Sequence, residues 1–515
     1  ISLFDWNKAF SNQSVDNQVQ IFNSIILNIC SNYIPNKMVV CDDSQPPWMN
    51  DHIRAKFEQK NIAYLKFVEN GMKENHYQEF DLINHNLCNL IEQSKNDYYT
   101  NLGNKLSDNS CNGKKYWSLL KTFFNGKKIP VIPPLLHNNE FVNDFHEKAT
   151  IFNDYFASQC TTISTNSVIP NEINFLTDKK IDTAEFDEND IKSIINALNP
   201  SKAHGHDGIS IRMLRLSVDS VSKPLLLIFK NCFLNGTFPT TWKKANVVPI
   251  HKKSNRHINS NYRPVSLLPI CGKIFERILY RALHNHLNDN FLLCESQSGF
   301  RCGDSCVNQL LSIANMIYSS FDKNPSLEVR GVFLDISRAF DRVWHAGLLY
   351  KLKSIGVTGK LLKLIESFLN ERYQRVVLNG VTSEWSCIKA GVPQGSILGP
   401  LFFLIYINDL TTGLKCDVKL FADDTSLFSV VHNSNSSARD LNHDLQIISD
   451  WADKWKMSFN PDPAKQAQEV IFSRKLHQVN NPNVYFNQCA VQNTNAQKHL
   501  GVVLDSKLSF NLHMK

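Results

Sequence analysis

The sequence predicts an α/β fold in which an antiparallel sheet backed by helices follows a helical N-terminal extension. Three observations support this prediction. Residues 329–340 (VRGVFLDISRAF) begin as an apolar, strand-like run and end in a helical pattern. Residues 418–430 have two short apolar arms around Asp423 and Asp424, as expected of a β-hairpin, whose strands are antiparallel. Apolar residues recur at helical spacing over residues 47–102.

The length and composition of the chain indicate a folded protein of several domains. Its 515 residues are 43% hydrophobic and 20% charged, which is ordinary for globular proteins. We expect a helical N-terminal region and linker over residues 1–140, a helical extension over 141–229, and the main domain over 230–505. Residues 506–515 are expected to begin a further element that is truncated. Because the chain starts with Ile1 rather than methionine, we expect a piece of a longer protein.

Cysteine usage and hydropathy argue against two classes of protein. The 13 cysteines are scattered, without the dense and regular spacing of a small secreted domain. We therefore expect reduced thiols in an intracellular protein. No apolar run reaches the roughly 18 residues that a membrane-spanning helix needs, so we expect no membrane association.

A basic segment lies ahead of the predicted hairpin. The formal net charge is +7, and residues 220–275 contain lysine and arginine but no aspartate or glutamate. Exposed faces usually mix both signs of charge, so this asymmetry favours a surface that faces phosphates. A solvated basic face is the alternative. The residues expected to contact nucleic acid are Lys243, Lys244, Lys252, Lys253 and Arg256.

Three aspartates are the predicted catalytic groups. Asp335 is placed where a strand ends, and Asp423 and Asp424 lie at the tip of the hairpin. Like charges held this close are destabilising unless a cation neutralises them, and Mg²⁺ prefers carboxylate and phosphate oxygens. In phosphoryl transfer, two metal ions about 4 Å apart activate the attacking hydroxyl and stabilise the leaving oxygen. A lone aspartate would more simply cap a turn or a helix, but three in this setting favour a two-metal site.

Seven motifs follow one another between residues 199 and 510. In chain order they are SKAHGHDGIS (201–210), NYRPVSLLPICGKIFE (261–276), SQSGFR (296–301), FLDISRAFDRV (333–343), GVPQGSILGPLFFLIYINDL (391–410), FADD (421–424) and HLGVVLD (499–505). FADD alone would be a weak signal, but the ordered set is specific. It resembles the reverse transcriptases of non-LTR, LINE-like retrotransposons, most closely the jockey-like group. The resemblance implies a right-hand polymerase with fingers and palm, whose thumb would start at residues 506–515.

The resemblance assigns catalytic roles to five residues. Asp335, Asp423 and Asp424 match the family's metal-binding aspartates, which hold two Mg²⁺ ions, for which Mn²⁺ can substitute. Phe340 matches the aromatic gate that rejects a 2′-hydroxyl on the incoming sugar, with ordinary core packing as the alternative. Lys465 matches a lysine that donates a proton to departing pyrophosphate, although a solvated lysine is the simpler explanation.

Four further residues match substrate-binding positions. Gln394 and Gly395 lie in a glycine-rich turn that lets the backbone approach nucleotide and template, with a plain turn before the next helix as the alternative. Arg263 and Arg301 match positions in the fingers whose guanidinium groups grip triphosphate or template phosphate. A surface salt bridge is the alternative explanation for either arginine.

The function that the resemblance implies is RNA-directed DNA polymerisation, in which dNTPs are added to a primer 3′-hydroxyl during target-primed reverse transcription. Implied partners are the element's RNA template, target DNA or a DNA primer, dNTPs and a separate element-encoded RNA-binding protein. The implied location is an intracellular, cytoplasmic ribonucleoprotein that functions in the nucleus. One alternative function is that of a different polymerase, an intron-encoded maturase or a telomerase-like enzyme. The segments IYIND and FADDTSLF argue against both. The other is a decayed or domesticated element copy that binds RNA without catalysis.

Overall fold

The chain divides into two compact units, Pro35–Pro133 on the one hand and Ile1–Ile34 with Pro134–Lys515 on the other. The computed structural model describes residues 1, 3–34, 46–107, 113, 116–117, 119–120, 132–162, 168–252, 254–475 and 481–514. The N-terminal region predicted for residues 1–140 is therefore not one domain, since its first helices pack with the main unit.

Two N-terminal helices account for this division. They are α1 (Trp6–Phe10) and α2 (Val15–Tyr33), and Phe22 of α2 is fully buried in the large core of the main unit. The Asp16 carboxylate accepts hydrogen bonds from the Thr240 backbone N–H at 2.6 Å and from the Thr240 hydroxyl at 2.8 Å. Apolar burial and this cap attach residues 1–34 to the larger unit.

The smaller unit contains the pair of helices expected from the apolar periodicity of residues 47–102. They are α3 (Asp51–Glu69) and α4 (Glu74–Leu106). The Asn50 side chain begins α3 by accepting a hydrogen bond from the Ile53 N–H at 2.9 Å. Most of the linker predicted to follow this pair lies outside the described residues.

Helices dominate the stretch that precedes the main sheets. After the short hairpin of β1 (Leu135–His137) and β2 (Glu140–Val142), the elements are α5 (Phe145–Gln159), α6 (Glu188–Ala197), α7 (Ile211–Leu216), α8 (Val218–Asn235) and α9 (Thr240–Lys243). Asp144 starts α5 because its carboxylate accepts the Glu147 N–H at 2.8 Å. Gly236 ends α8 with a φ of +61°, in the left-handed region that favours glycine.

The main domain alternates strands and helices around two five-stranded sheets. Its elements are β3 (Lys244–His251), β4 (Tyr262–Leu267), α10 (Ile270–Asp289), α11 (Cys306–Lys323), β5 (Glu328–Asp335), α12 (His345–Ser354), α13 (Gly359–Leu369), β6 (Arg372–Leu378), β7 (Val381–Thr382), β8 (Ser386–Ile388), α14 (Leu398–Ile407), β9 (Asp417–Phe421), β10 (Asp424–Val431), α15 (Ser434–Lys454), α16 (Pro463–Gln466), β11 (Ala467–Ser473), β12 (Tyr485–Phe486), β13 (Cys489–Ala490), β14 (Gln492–Asn493), β15 (Ala496–His499), β16 (Val502–Asp505) and α17 (Asn511–Met514). This mixed α/β composition agrees with the predicted fold class.

The central sheet has the strand order β14-β11-β5-β10-β9. Strand β5 is antiparallel to both of its neighbours, β10 and β11, while β14 is parallel to β11. Every residue of β5 is buried except Asp335, where the strand ends. A strand covered on both faces is largely apolar, and β5 is apolar from Gly331 to Leu334, so the change to an acid at Asp335 marks the place where the chain reaches solvent.

The second sheet has the order β4-β3-β6-β7, with β8 also paired to β6. Strand β3 is antiparallel to β4 and parallel to β6. This sheet presents Arg263, which is exposed on β4.

Helix α14 follows the glycine-rich turn and is apolar on all sides. Its residues from Leu398 to Ile407, Pro400 excepted, are buried, as a helix within a core requires. None of the described helices is long and apolar enough to cross a membrane.

Candidate active site

The three predicted catalytic aspartates meet at one end of the central sheet. Strand β10 pairs with β5 so that Asp424 stands directly opposite Asp335. Asp423 lies in the turn that joins β9 to β10. The preceding Ala422 has a φ of +54°, and its N–H donates to the Gln297 side chain at 2.9 Å. The hairpin tip is thus fastened from outside the sheet, and the three aspartates are close enough for their charges to interact.

Electrostatic repulsion is built into this arrangement. Partial burial, followed by the charges of Asp423 and Asp335, raises the pKa of Asp424 to about 6. Burial also raises the pKa of Asp423, with Asp335 adding to the rise and Lys252 and Arg263 opposing it. Such a cluster suits a divalent cation, and Mg²⁺ commonly takes one or two carboxylates together with substrate phosphates. Among the described residues, no group of three or more acidic, histidine or cysteine side chains is arranged so that it could hold a metal ion without further ligands or movement.

A residue that the sequence analysis missed holds Asp335 in place. The Asn460 side-chain amide donates to Asp335 Oδ2 at 2.8 Å, and the Asn460 backbone N–H donates to the Asp335 carbonyl at 2.9 Å. Asn460 Oδ1 in turn accepts the Asp462 N–H at 3.1 Å, and Asp462 pairs with Lys465 Nζ at 2.7 Å. The exposed Lys465 is therefore linked to Asp335 through two residues, and its hydrogen bond to Asp462 raises its pKa.

A cleft of about 580 Å³ opens beside these carboxylates. It brings together most of the residues that the motifs singled out, although they come from distant parts of the chain. Those that line it are Asp335, Asp423, Phe340, Gln394, Gly395 and Arg263, and Lys252 of the basic segment lines it as well. Asp424 is not among the described residues that line it.

Phe340 is half-buried in the wall of the cleft. Its ring stacks on Phe403 with centroids 4.8 Å apart and meets Phe300 edge-on at 6.0 Å. The Val392 N–H donates to the Phe340 carbonyl at 2.8 Å, which joins this segment to the glycine-rich turn. The ring thus packs against neighbours on one side and lines the cleft on the other, so the geometry accommodates both explanations offered for it.

The helical pattern predicted directly after the strand starts later than expected, since α12 begins at His345. Tertiary hydrogen bonds replace the first helical turns, because the Ser337 N–H donates to the Ser458 carbonyl and the Gly391 N–H donates to the Val343 carbonyl, each at 2.8 Å. The intervening Arg338 has a φ of +53°, which no helix allows.

The glycine-rich turn is locked against β4. The Ser266 N–H donates to the Gln394 carbonyl at 2.8 Å, and Gly395 has a φ of +124°. A Cβ added at Gly395 would lie 2.5 Å from the Ser266 carbonyl oxygen, so glycine is needed there. The Gln394 side-chain amide donates to Asp341 Oδ1 at 2.9 Å, and burial raises the pKa of this carboxyl.

The same turn is anchored by Glu276, the last residue of the second motif, to which the sequence analysis assigned no role. This buried carboxylate accepts hydrogen bonds from the Ser396 hydroxyl at 2.5 Å and from the N–H groups of Ile397 and Leu398 at 2.7 and 3.2 Å. A negative charge at the N-terminus of α14 is favoured by the orphan N–H groups and the helix dipole. Glu276 therefore fixes the junction between turn and helix.

The predicted nucleic-acid contacts separate into different environments. Lys252 and Arg256 are exposed, and Lys244 is half-buried. Lys243 is 4% exposed, and burial lowers its pKa, so its predicted position on a phosphate-facing surface is wrong. It lies at the junction of α9 and β3, where packing against neighbouring elements covers the side chain. Lys253 lies outside the described residues.

Arg301 is placed differently from Arg263. Its guanidinium donates to the carbonyls of Cys294 at 3.0 Å and Gln297 at 3.4 Å, within its own loop. Among the described residues it is not part of the cleft lining. The prediction for Arg301 was a phosphate contact, with a surface salt bridge as the alternative. The two backbone carbonyls that it contacts instead indicate that Arg301 stabilises its own loop.

Known proteins resemble this chain along most of its length. Residues 250–502 match the family described as reverse transcriptase (RNA-dependent DNA polymerase). The RNA-directed DNA polymerase from mobile element jockey of Drosophila melanogaster is 28% identical over 526 residues, covering 97% of this chain and 55% of the relative. The jockey enzyme of Drosophila funebris is 33% identical over 63% of this chain and 36% of the relative.

A third relative is the probable RNA-directed DNA polymerase from transposon X-element of Drosophila melanogaster, 31% identical over 64% of this chain and 36% of the relative. The chain thus spans 55% or less of the length of these relatives. The resemblance that the seven motifs predicted is confirmed: residues 250–502 match the reverse transcriptase family, and the proteins similar to this chain include RNA-directed DNA polymerases of jockey-like non-LTR retrotransposons.

Proposed function

We propose that this chain is an RNA-directed DNA polymerase that adds dNTPs to the 3′-hydroxyl of a primer paired with an RNA template. The observation that supports this most strongly is the meeting of Asp335, Asp423 and Asp424 at the end of the central sheet, beside the cleft. The raised pKa of Asp424 is the expected electrostatic mark of a site that binds cations. Two Mg²⁺ ions held by these carboxylates, or Mn²⁺ in their place, would activate the hydroxyl and neutralise phosphate charge.

The architecture suits a right-hand polymerase. We assign the central sheet with its aspartates to the palm, and the second sheet with Arg263 to the fingers. Arg263 and Lys252 line the same cleft as Asp335 and Asp423 and offer positive charge to a triphosphate there. Asn460 keeps the Asp335 carboxylate in one orientation, so this side chain does not need to reorient during the reaction.

The remaining lining residues have roles in selecting the nucleotide. Phe340 provides an aromatic surface under the sugar, where a 2′-hydroxyl would collide with the ring. The backbone of Gln394 and Gly395, held against Ser266, approaches the nucleotide and template. Lys465 is kept protonated by Asp462, as required of a group that donates a proton to pyrophosphate.

The biological setting is proposed from the relatives, whose names place them in mobile elements and transposons. The template would be the element's own RNA, and nicked target DNA would supply the primer in target-primed reverse transcription. A separate element-encoded RNA-binding protein would join them in a cytoplasmic ribonucleoprotein that functions in the nucleus.

Primer extension tests the proposed activity. The purified chain with Mg²⁺, dNTPs and a primer annealed to RNA should extend the primer, and Asp423→Ala should reduce the rate at least about a thousandfold, since a lost metal ligand removes several kcal/mol of transition-state stabilisation. RNA binding should change little, because basic residues set that affinity. Asp81→Ala, which removes an exposed carboxylate on α4, is the matched control.

Two outcomes would contradict the proposal. Extension by Asp423→Ala within about tenfold of the parent would remove this aspartate from the metal site. RNA binding by a parent that extends no primer would instead favour the alternative, a domesticated element fragment that acts as an RNA-binding protein.

A further inference from the structure

A tyrosine from outside the matched polymerase region lines the cleft. Tyr155 lies on α5, ahead of residues 250–502, and shares the wall of the cleft with Phe156 and Gln159. The guanidinium of Arg338 donates a hydrogen bond from Nη2 to Tyr155 Oη at 2.8 Å, and its Cζ lies 5.4 Å from the ring centroid. Helix α5 therefore touches the segment that contains the catalytic aspartate.

Arg338 occupies a central position in this segment. It lies between Asp335 and Phe340, and it lines the same cleft. Its φ of +53° is rare for a residue with a side chain, and such conformations persist where surrounding contacts hold them. Because its hydrogen-bond partner is a neutral hydroxyl, the guanidinium keeps its positive charge available to an anion in the cleft.

Helix α5 is attached firmly enough to position another side chain. The Phe152 ring meets Tyr262 edge-on with centroids 4.9 Å apart. The Asn153 side-chain amide donates to the Ser386 hydroxyl at 2.8 Å. Ser260, just before the strand that presents Arg263, lines the cleft together with Tyr155. Helix α5 is thus held against β4 and β8, which gives Tyr155 a defined position.

We propose that Arg338 binds the triphosphate of the incoming nucleotide and that Tyr155 positions Arg338 for this contact. This inference rests on the proposed polymerase function. A triphosphate carries several negative charges, and a planar guanidinium can contact two phosphate oxygens at once. Arg338 would then join Lys252 and Arg263, two other cations that line the cleft. The acid nearby, Asp341, is engaged by Gln394.

A direct measurement of nucleotide binding tests this proposal without depending on catalysis. The full chain is bound to an RNA template and a dideoxy-terminated primer, and the Kd of the next complementary dNTP is measured by titration. Tyr155→Phe removes a single hydroxyl and should raise the Kd about fivefold, whereas Arg338→Gln should raise it more than about tenfold. Arg338→Lys keeps the positive charge but loses the planar guanidinium that can contact two phosphate oxygens. Its Kd should therefore lie between those of the parent and Arg338→Gln.

The double variant separates positioning from general structural support. If Tyr155 acts through Arg338, then Tyr155→Phe with Arg338→Gln should bind no more weakly than Arg338→Gln alone. In primer extension the same single substitutions should raise the KM for dNTP with little change in kcat. Tyr350→Phe is the matched control, since it removes a hydroxyl that donates to the Glu172 carbonyl at 2.8 Å and does not line the cleft of the described residues.

The outcomes distinguish this inference from the function on which it rests. Two results would overturn the inference while the parent still extends primers. One is a dNTP Kd for Tyr155→Phe equal to that of Tyr350→Phe. The other is a double variant whose increase in Kd is the product of the increases caused by Tyr155→Phe and Arg338→Gln alone. A parent that binds no dNTP and extends no primer would overturn both.

Discussion

Replacing Asp424 by asparagine should stabilise the metal-free protein while abolishing polymerisation. Partial burial, with Asp423 and Asp335 close by, raises the pKa of Asp424 from 3.8 to about 6. A shift of this size corresponds to about 3 kcal/mol of unfavourable free energy for the ionised form. Because Asp424 is exposed at the start of β10, solvent screens much of this, and we expect a gain of about 1 kcal/mol. Asparagine keeps the shape and removes the charge.

The gain should depend on pH in a definite direction. Below about pH 4, Asp424 is protonated in the folded and the unfolded state, so the parent and the variant should differ least. As the pH rises, the unfolded parent ionises freely, whereas the folded parent must ionise beside two other carboxylates. The parent therefore loses stability relative to Asp424→Asn up to about pH 6, above which the full gain is present.

Urea unfolding followed by tryptophan fluorescence, with EDTA or with Mg²⁺, measures this effect at pH values on either side of the titration. In EDTA above about pH 6 the variant should have the larger free energy of unfolding. Mg²⁺ should stabilise the parent more than the variant, since a ligand stabilises the state that binds it. Asp81→Asn on α4 controls for the loss of one negative charge. A variant less stable than the parent in EDTA at neutral pH would refute the repulsion argument.

Substitutions at three other positions test neighbouring contacts. Phe340→Ala should lower the preference for dNTP over rNTP about tenfold or more, because the cleft gains room for a 2′-hydroxyl. Single-nucleotide incorporation measures this ratio, and an unchanged ratio would mean that the ring serves only for packing. Gly395→Ala should destabilise the fold by about 2 kcal/mol, since its Cβ would lie 2.5 Å from the Ser266 carbonyl oxygen. Glu276→Gln should cost about 2 kcal/mol, because a buried charged acceptor at a helix N-terminus is lost. For Gly395→Ala and Glu276→Gln, a urea unfolding midpoint equal to that of the parent would contradict the reasoning.

Local patterns in the sequence were enough to place the three aspartates of the candidate site at a strand end and a hairpin tip. The apolar run of β5 ends at Asp335, and the paired apolar arms around Asp423 and Asp424 form the hairpin of β9 and β10. Both are encoded within a few residues, because strand burial and tight turns leave short-range signatures. The order of the seven motifs was likewise sufficient to identify the family.

Short-range patterns did not determine the partners of these residues. Asn460 reaches Asp335 from 125 positions away, Glu276 reaches Ile397 from 121, and Arg338 reaches Tyr155 from 183. A periodicity records which face of an element is buried, but not which distant side chain will meet it there.

The sequence by itself therefore indicated the family and the three aspartates of the candidate site, whereas tertiary structure decided the surroundings of that site. Lys243 shows the difference. The run of basic residues around it predicted an exposed side chain, but packing at the start of β3 buries it. The turn after Asp335 shows it too, since hydrogen bonds to Ser458 and Gly391 outweigh the local helical pattern. In both cases contacts between residues far apart in the chain, which no local window contains, override the local preference.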